Sequence, residues 1–298
     1  MDERFASVGG LEICYEEIGS PADPPMLLIM GLGAQSISWP DGFCTLLADR
    51  GLRVIRYDNR DVGRSTVLSH LGSPDLRAVS ERTQPPPYTL HDMAADAVGL
   101  LDALGIYEAH VVGASLGGVV AQFVALDHPG RVRSLGLVMT HPGRDLADPP
   151  APEAAAVLTT PRARTLDARI EQLLHAHRVV GSRGELADPE RVRELAVRTW
   201  ERGWHPEGFA RQLAAIVATP GRLAELSGLA MPVVVVHGEA DGLVPVSNGH
   251  RLAEAIPHAR LVTFPEMGHD LPAPLWEPIC DAIASNARAG LRTPTQNA

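Results

Sequence analysis

Apolar positions follow two periods along this chain. Met26-Leu27-Leu28-Ile29-Met30, Leu135-Gly136-Leu137-Val138-Met139 and Val233-Val234-Val235-Val236 contain no charged position. Such runs are expected of strands covered on both faces of a parallel sheet. Arg53–Tyr57, His110-Val111-Val112 and residues 261–264 read as further strands, and Leu11–Ile18 alternates like a strand with one wet face. Between them residues 40–50 and 91–105 have helical period. The second places Met93, Ala97, Leu100, Leu101 and Leu104 on one face and ends at Gly105. This β-α-β alternation predicts an α/β fold with a mostly parallel, doubly wound sheet.

The alternation breaks at His141-Pro142. Residues 145–156, rich in Pro, Ala and Asp, read as a linker. Three amphipathic helices are then predicted with no strand between them. One covers residues 165–180, with Leu166, Ile170, Leu173 and Leu174 on a face. A second opens on Asp188-Pro189-Glu190, an N-cap followed by proline at the first helical position. The third carries Phe209, Leu213, Ile216 and Val217. The predicted organisation is a core in two parts, residues 1–141 and 229–298, with a helical cap at 142–228 over the site. Residues 66–90, with Pro74 and Pro85-Pro86-Pro87, show no period and are long for a βα loop, so they either rim the pocket or form a surface excursion. The polar tail after Ala287 is expected to fray.

Gly113-Ala114-Ser115-Leu116-Gly117 sits between the His110–Val112 strand and the apolar helical stretch 118–126. A serine on a sharp turn from strand to helix is a nucleophile elbow. Its backbone is strained by roughly 1–3 kcal/mol. Glycines two residues before and two after leave room where a Cβ would collide with the facing strand or helix. The hydroxyl then stands over the positive end of the helix dipole.

A serine hydroxyl needs a base, and the base needs an orienting carboxylate. His237-Gly238-Glu239-Ala240-Asp241 follows the 233–236 strand, and Glu266-Met267-Gly268-His269-Asp270 follows the 261–264 strand. Ser115, Asp241 and His269 therefore occur in the order nucleophile, acid, base, each just after a strand. Glu239 competes with Asp241, and Asp145 is a further substitute. His141 and His237 are read as loop residues, and Asp270 as a solvated neighbour. Acyl transfer also needs oxyanion donors. The N–H of Leu116 is one; the second is expected from Gly31-Leu32-Gly33 after the first apolar strand, with Leu32 chosen and Gly31 as the fallback. The charged loop Asp58-Asn59-Arg60-Asp61-Val62-Gly63-Arg64-Ser65 is read as scaffold that cross-links the loops around the elbow.

Composition narrows the chemistry. Against 36 acidic residues stand 26 basic ones, a net charge of −10, which disfavours nucleic acid and anionic membranes as partners. Every basic residue is arginine, so Schiff-base, Walker-type and Ser-Lys chemistries are excluded. The three cysteines, Cys14, Cys44 and Cys280, lack metal-ligand spacing and read as buried apolar residues. No metal or other cofactor is expected. No apolar run reaches the roughly 18–20 residues of a membrane span. Met1-Asp2-Glu3-Arg4-Phe5 lacks the features of a signal peptide, so a cytoplasmic location is expected. With aromatic residues at only 4%, the pocket is expected to be lined mainly by Leu, Val, Ala and Met.

With these residues in place, the chain resembles an α/β-hydrolase of the bacterial esterase type over nearly its whole length. It is similar to anthracycline-type polyketide methyl esterases and bacterial carboxylesterases. The matching stretches are Leu28-Ile29-Met30-Gly31, Trp39-Pro40-Asp41, Val54-Ile55-Arg56-Tyr57-Asp58-Asn59-Arg60-Asp61, Ala109-His110-Val111-Val112-Gly113, Ala125-Leu126-Asp127-His128-Pro129 and Met267-Gly268-His269. The resemblance implies Ser115 as nucleophile, Asp241 as acid, His269 as base, the N–H groups of Leu32 and Leu116 as oxyanion hole, and a small-molecule ester as substrate. Met30-Gly31 stands where many relatives have His-Gly, which sets the chain apart from the C–C bond hydrolase branch. A nucleophilic serine argues against haloalkane dehalogenases and epoxide hydrolases. Cofactor-free perhydrolases and lactone hydrolases would use the same triad, and some members of the fold only bind ligands.

Overall fold

The structure is a computed structural model and describes residues 2–143 and 145–292. Among these, the strands are β1 (Arg4–Val8), β2 (Leu11–Ile18), β3 (Pro25–Ile29), β4 (Arg53–Tyr57), β5 (Ala109–Ala114), β6 (Val132–Val138), β7 (Val233–Gly238) and β8 (Arg260–Phe264). They form one sheet in the order β1-β2-β4-β3-β5-β6-β7-β8. The β1–β2 and β2–β4 pairs are antiparallel, and every pair from β4–β3 to β7–β8 is parallel. The expected doubly wound, mostly parallel sheet is present. The helices of its first half are α1 (Asp41–Ala48), α2 (Leu76–Ser80), α3 (Leu90–Ala103) and α4 (Leu116–Asp127). Between β6 and β7 come α5 (Pro152–Thr159), α6 (Leu166–Val180), α7 (Pro189–Arg202), α8 (Pro206–Ala218) and α9 (Leu223–Leu226). Then follow α10 (Ser247–Ala255) and α11 (Trp276–Arg292).

The apolar runs divide between two cores because successive strand side chains point to opposite faces. Leu27, Ile29, Val111, Val233 and Val235 pack on one face with Met93, Leu100, Val120, Val124 and Leu252 from α3, α4 and α10. Met26, Leu28, Val112, Val234 and Val236 pack on the other with Phe43, Leu47, Ile279 and Ile283 from α1 and α11. Thr89 and Asp92 close a reciprocal capping box at the start of α3, each accepting a backbone N–H of the other.

Several expectations need correction. Strand β1 was not anticipated, since its five residues bury only Val8 fully. In β2 the residues from Ile13 to Glu16 are all buried rather than half wet, because the strand lies between β1 and β4 and Arg56 pairs with Glu16. The predicted linker contains most of α5, and the aperiodic segment contains α2. Helix α11 continues past Ala287 to Arg292, with Ala287 itself buried, so fraying does not begin there; the tail beyond 292 lies outside the described residues. All three cysteines are buried and free, and burial pushes each thiol pKa up to about 12. Among the described residues no helix is long and apolar enough to cross a membrane.

The charged loop after β4, expected to cross-link the loops around the elbow, ties down the loop after β3 and, beyond that expectation, fastens helices between β6 and β7. Asp58 accepts the N–H of Ser36 at 2.7 Å and lies 3.1 Å from Arg202 of α7. Asp61 accepts both forks of Arg211 of α8, at 2.7 and 2.8 Å, and the Tyr88 hydroxyl at 2.8 Å. Arg211 and Asp61 are fully buried, at 0% and 1% exposure. Removing one charge of such a pair leaves the other buried and uncompensated, typically worth about 3–5 kcal/mol. Asn tolerates the left-handed backbone that Asp61 adopts (φ 72), so Asp61→Asn isolates the charge. It should lower unfolding stability by about that amount in urea titration; an unchanged midpoint would mean the pair contributes nothing.

Candidate active site

Ser115 directly follows β5 at the N-cap position of α4 with φ 55 and ψ −121, a positive-φ backbone that serine rarely adopts. Four bonds hold it there: its N–H donates to Val138 O at 2.9 Å, and its carbonyl accepts Gly118 N–H at 2.9 Å, Val119 N–H at 3.3 Å and the Thr140 hydroxyl at 2.7 Å. The flanking glycines are required by space. A Cβ on Gly113 would lie 2.0 Å from the Gly117 carbonyl oxygen, and one on Gly117 would lie 2.0 Å from that of Ile29 in β3.

The loops after β7 and β8 bring two more of the expected side chains to this serine. His269 Nε2 lies 3.0 Å from Ser115 Oγ, and its Nδ1 lies 2.7 Å from Asp241 Oδ2. Asp241 is buried, and its other oxygen accepts the N–H groups of Leu243 at 2.9 Å and Val244 at 2.8 Å. Burial alone would lower the His269 pKa, but the carboxylates of Asp241 and Asp270 prevail and hold it above the ordinary histidine value of 6.5. Glu239 is exposed and accepts a hydrogen bond from the Thr263 hydroxyl, away from the imidazole. Asp145 packs by Gly221 instead. His237 is not a loop residue: it lies in β7, buried and paired in register with Thr263, with Nε2 2.7 Å from Val244 O.

One contact set was not foreseen. Asp270 is not a solvated neighbour: it accepts both the N–H and the hydroxyl of Ser182, just beyond α6. The Ser182 hydroxyl also accepts Gly268 N–H at 3.0 Å, and His269 N–H donates to Val180 O at 2.6 Å. A Cβ on Gly268 would lie 2.2 Å from Gly181 C. The loop bearing the imidazole is thus seated on the end of α6.

The loop after β3 crosses directly over Ser115, where a Cβ on Gly31 would lie 3.1 Å from the serine Cβ. Gly33 N–H is taken by Gln212 Oε1 at 2.8 Å, and Asn59 Nδ2 donates to Met30 O at 3.0 Å, which fixes the loop from both sides. Among the described residues the N–H groups of Leu32 and Leu116 have no hydrogen-bond acceptor, and both residues face the same cavity as Ser115 and His269. The Gly31 N–H is equally without an acceptor, so the fallback donor stays open.

That cavity has a volume of about 940 Å³. Its wall is mainly aliphatic, including Met30, Met139, Leu173, Leu213 and Val217, with Trp204 and Phe209 as aromatic exceptions. Leu76 and Ser80 of α2 also line it, so the aperiodic segment does rim the pocket. His141, expected to be only a loop residue, faces it too; burial, Arg222 and His269 push its pKa down to about 4, keeping it neutral. Arg162, Arg169 and Arg191 line it without having been anticipated, because nothing in their spacing separates them from surface arginines on amphipathic helices. An imidazole tied at Nδ1 to a carboxylate and presenting Nε2 to a hydroxyl can accept that hydroxyl's proton.

Comparison with known proteins bears on this arrangement. A family model described as alpha/beta hydrolase fold matches residues 24–272. The chain is 34% identical over 312 aligned positions to rhodomycin D methylesterase DauP of Streptomyces sp. (strain C5), covering 97% of this chain and 99% of that protein. It is also 34% identical, over 178 positions, to the pimeloyl-[acyl-carrier protein] methyl ester esterase of Chromobacterium violaceum, with 59% of this chain and 68% of that protein covered. The crystal structure of a hydrolase from Pseudomonas aeruginosa PA01 superposes with a TM-score of 0.69 at 28% identity, covering 98% of this chain and 99% of that one. The chain belongs to the α/β-hydrolase fold family.

Proposed function

We propose that this protein is a carboxylic ester hydrolase that forms an acyl-enzyme on Ser115. The carrying observation is the unbroken relay from Asp241 through His269 to Ser115, at 2.7 and 3.0 Å, opening into an apolar cavity. Likeness to two named methyl ester esterases supports the choice of bond. His269 takes the proton from Ser115 as Oγ attacks the ester carbonyl. The N–H groups of Leu32 and Leu116 hold the oxyanion, each such donor being worth about 2.7–4 kcal/mol. His269 returns the proton to the leaving alcohol, and water repeats the cycle on the acyl-enzyme. Asp241 fixes the Nδ1–H tautomer and stabilises the imidazolium. Residues 142–228 act as a cap that shapes the acyl and alcohol subsites, and the substrate is a small ester with an apolar body.

A fluorophosphonate probe tests this, since it phosphonylates a serine only when that serine is activated. Peptide mass mapping should place the adduct on Ser115. Because the His269 pKa is raised, its free-base form is lost as pH falls through a value above 6.5, and the labelling rate should fall with it. An adduct at another residue, or a rate flat across that range, would remove the proposal.

A further inference from the structure

The wall of the cavity carries a buried cation for which ester cleavage at Ser115 has no use. Arg169 of α6 is 8% exposed and lines the cavity. Among the described residues its guanidinium makes no ion pair and no hydrogen bond, and its Nε is buried without a partner. It sits over the Trp204 ring, 3.7 Å from the centroid. The charge beside it is a second cation. Arg162 also lines the cavity, lies over Phe209 at 4.2 Å, and is anchored by donating to the Val157 and Thr160 carbonyls. Burial and the Arg162 charge push the Arg169 pKa down to about 9, with no acid opposing them.

Among the described residues the other buried arginines all have hydrogen-bond acceptors: Arg222 has no ion pair but donates to Gln122 Oε1 and the Pro220 carbonyl, while two more have acid partners. Arg56 pairs with Glu16, and Arg211 pairs with Asp61. An uncompensated charge of this kind is costly, and an aromatic face offsets only part of that cost because it offers the N–H groups no acceptor in their plane. The chain's net charge of −10 gives anions no general attraction, so a binding site for one must be local.

We propose that Arg169, with Arg162 beside it, binds an anionic oxygen group, a carboxylate first of all, carried by the substrate away from its scissile ester. The substrate class is then an ester-acid with an apolar body: one end at Ser115, the aliphatic wall around the middle, and the ionised end at Arg169. The inference rests on the esterase reading for the ester end alone. A planar fork that is already held by Trp204 suits bidentate recognition of a carboxylate.

The test uses monomethyl esters of linear dicarboxylic acids, from succinate to sebacate, each against the dimethyl ester of the same acid. At the length that spans the site, kcat/KM should favour the half-ester by about tenfold or more, and Arg169→Met should shrink that ratio by about 30-fold, the lower end for truncating a buried charge pair. Arg169→Lys should keep part of it. A wild-type preference for the diester at every length would overturn the proposal. So would a ratio unmoved by Arg169→Met, the mark of a structural arginine whose loss slows both substrates alike. Calorimetry on the unmodified protein needs neither turnover nor a variant. Linear fatty-acid anions should bind about tenfold or more tighter than the alcohols of equal length, as a desolvated charge-assisted contact requires; equal affinity would overturn the proposal. If neither ester series is cleaved but the anions bind preferentially, the esterase reading fails and the anion site stands.

Discussion

Ser115→Ala is expected to lower kcat for a simple ester such as p-nitrophenyl acetate by about 10⁶-fold. The change is unusually clean here. Alanine keeps the Cβ, so the contact with Gly31 and the tight approaches at Gly113 and Gly117 are undisturbed. The backbone strain at φ 55 stays as it was, since alanine is no more suited to it than serine. Only the hydroxyl goes, from a position open to the cavity, and the thermal midpoint should hardly move. The residual rate would come from the Leu32 and Leu116 N–H groups acting on bound ester with water as nucleophile. Turnover within an order of magnitude of wild type, in a folded variant, would rule out an acyl-enzyme on this residue.

The second large effect concerns the acid. Asp241 Oδ1 accepts two backbone N–H groups, from Leu243 and Val244, while Oδ2 faces His269 Nδ1. In Asp241→Asn the amide oxygen must keep the two N–H donors, so the NH₂ is turned towards Nδ1. An NH₂ needs an acceptor, which forces the imidazole proton onto Nε2, the nitrogen that should receive the proton of Ser115. The expected loss is about 10⁴-fold in kcat with the fold intact. Glu239→Gln, at an exposed side chain bonded to Thr263, should leave kcat unchanged. Steady-state assays of the two variants side by side decide between the carboxylates: an active Asp241→Asn with an inactive Glu239→Gln would reverse the assignment.

Much of this was legible in the chain because the chemistry follows strand ends. Val233 to Val236 and Leu261 to Phe264 mark two strands by composition, and the loops after parallel neighbours must emerge at one edge of the sheet, so Asp241 and His269 were bound to approach Ser115. The elbow glycines were legible for a related reason, as their spacing reflects steric exclusion within five residues. The remaining features have no local period. Strand β1 buries one residue fully, α2 is a single short turn of helix among prolines, and α5 opens in a stretch dominated by Ala and Pro. Arg169 looks like any polar position of α6 until Trp204 and the cavity wall close over it. Asp270 carries no local signal of its role, because its partner, Ser182, lies 88 residues away in the chain.

On the proposed mechanism, that last contact ties specificity to turnover. The imidazole loop rests on residues 180–182, at the end of a helix that also lines the cavity through Arg169, Leu173 and Ala176. A helical region of this kind is often pictured as an interchangeable module, free to diverge as substrates change. Here divergence is constrained, because any drift that shifts α6 also shifts the Val180 carbonyl and the Ser182 hydroxyl beneath His269. A graft of this region between relatives would carry its selectivity across with full speed only if the Val180-Gly181-Ser182 seat travelled with the Gly268-His269-Asp270 loop as one unit.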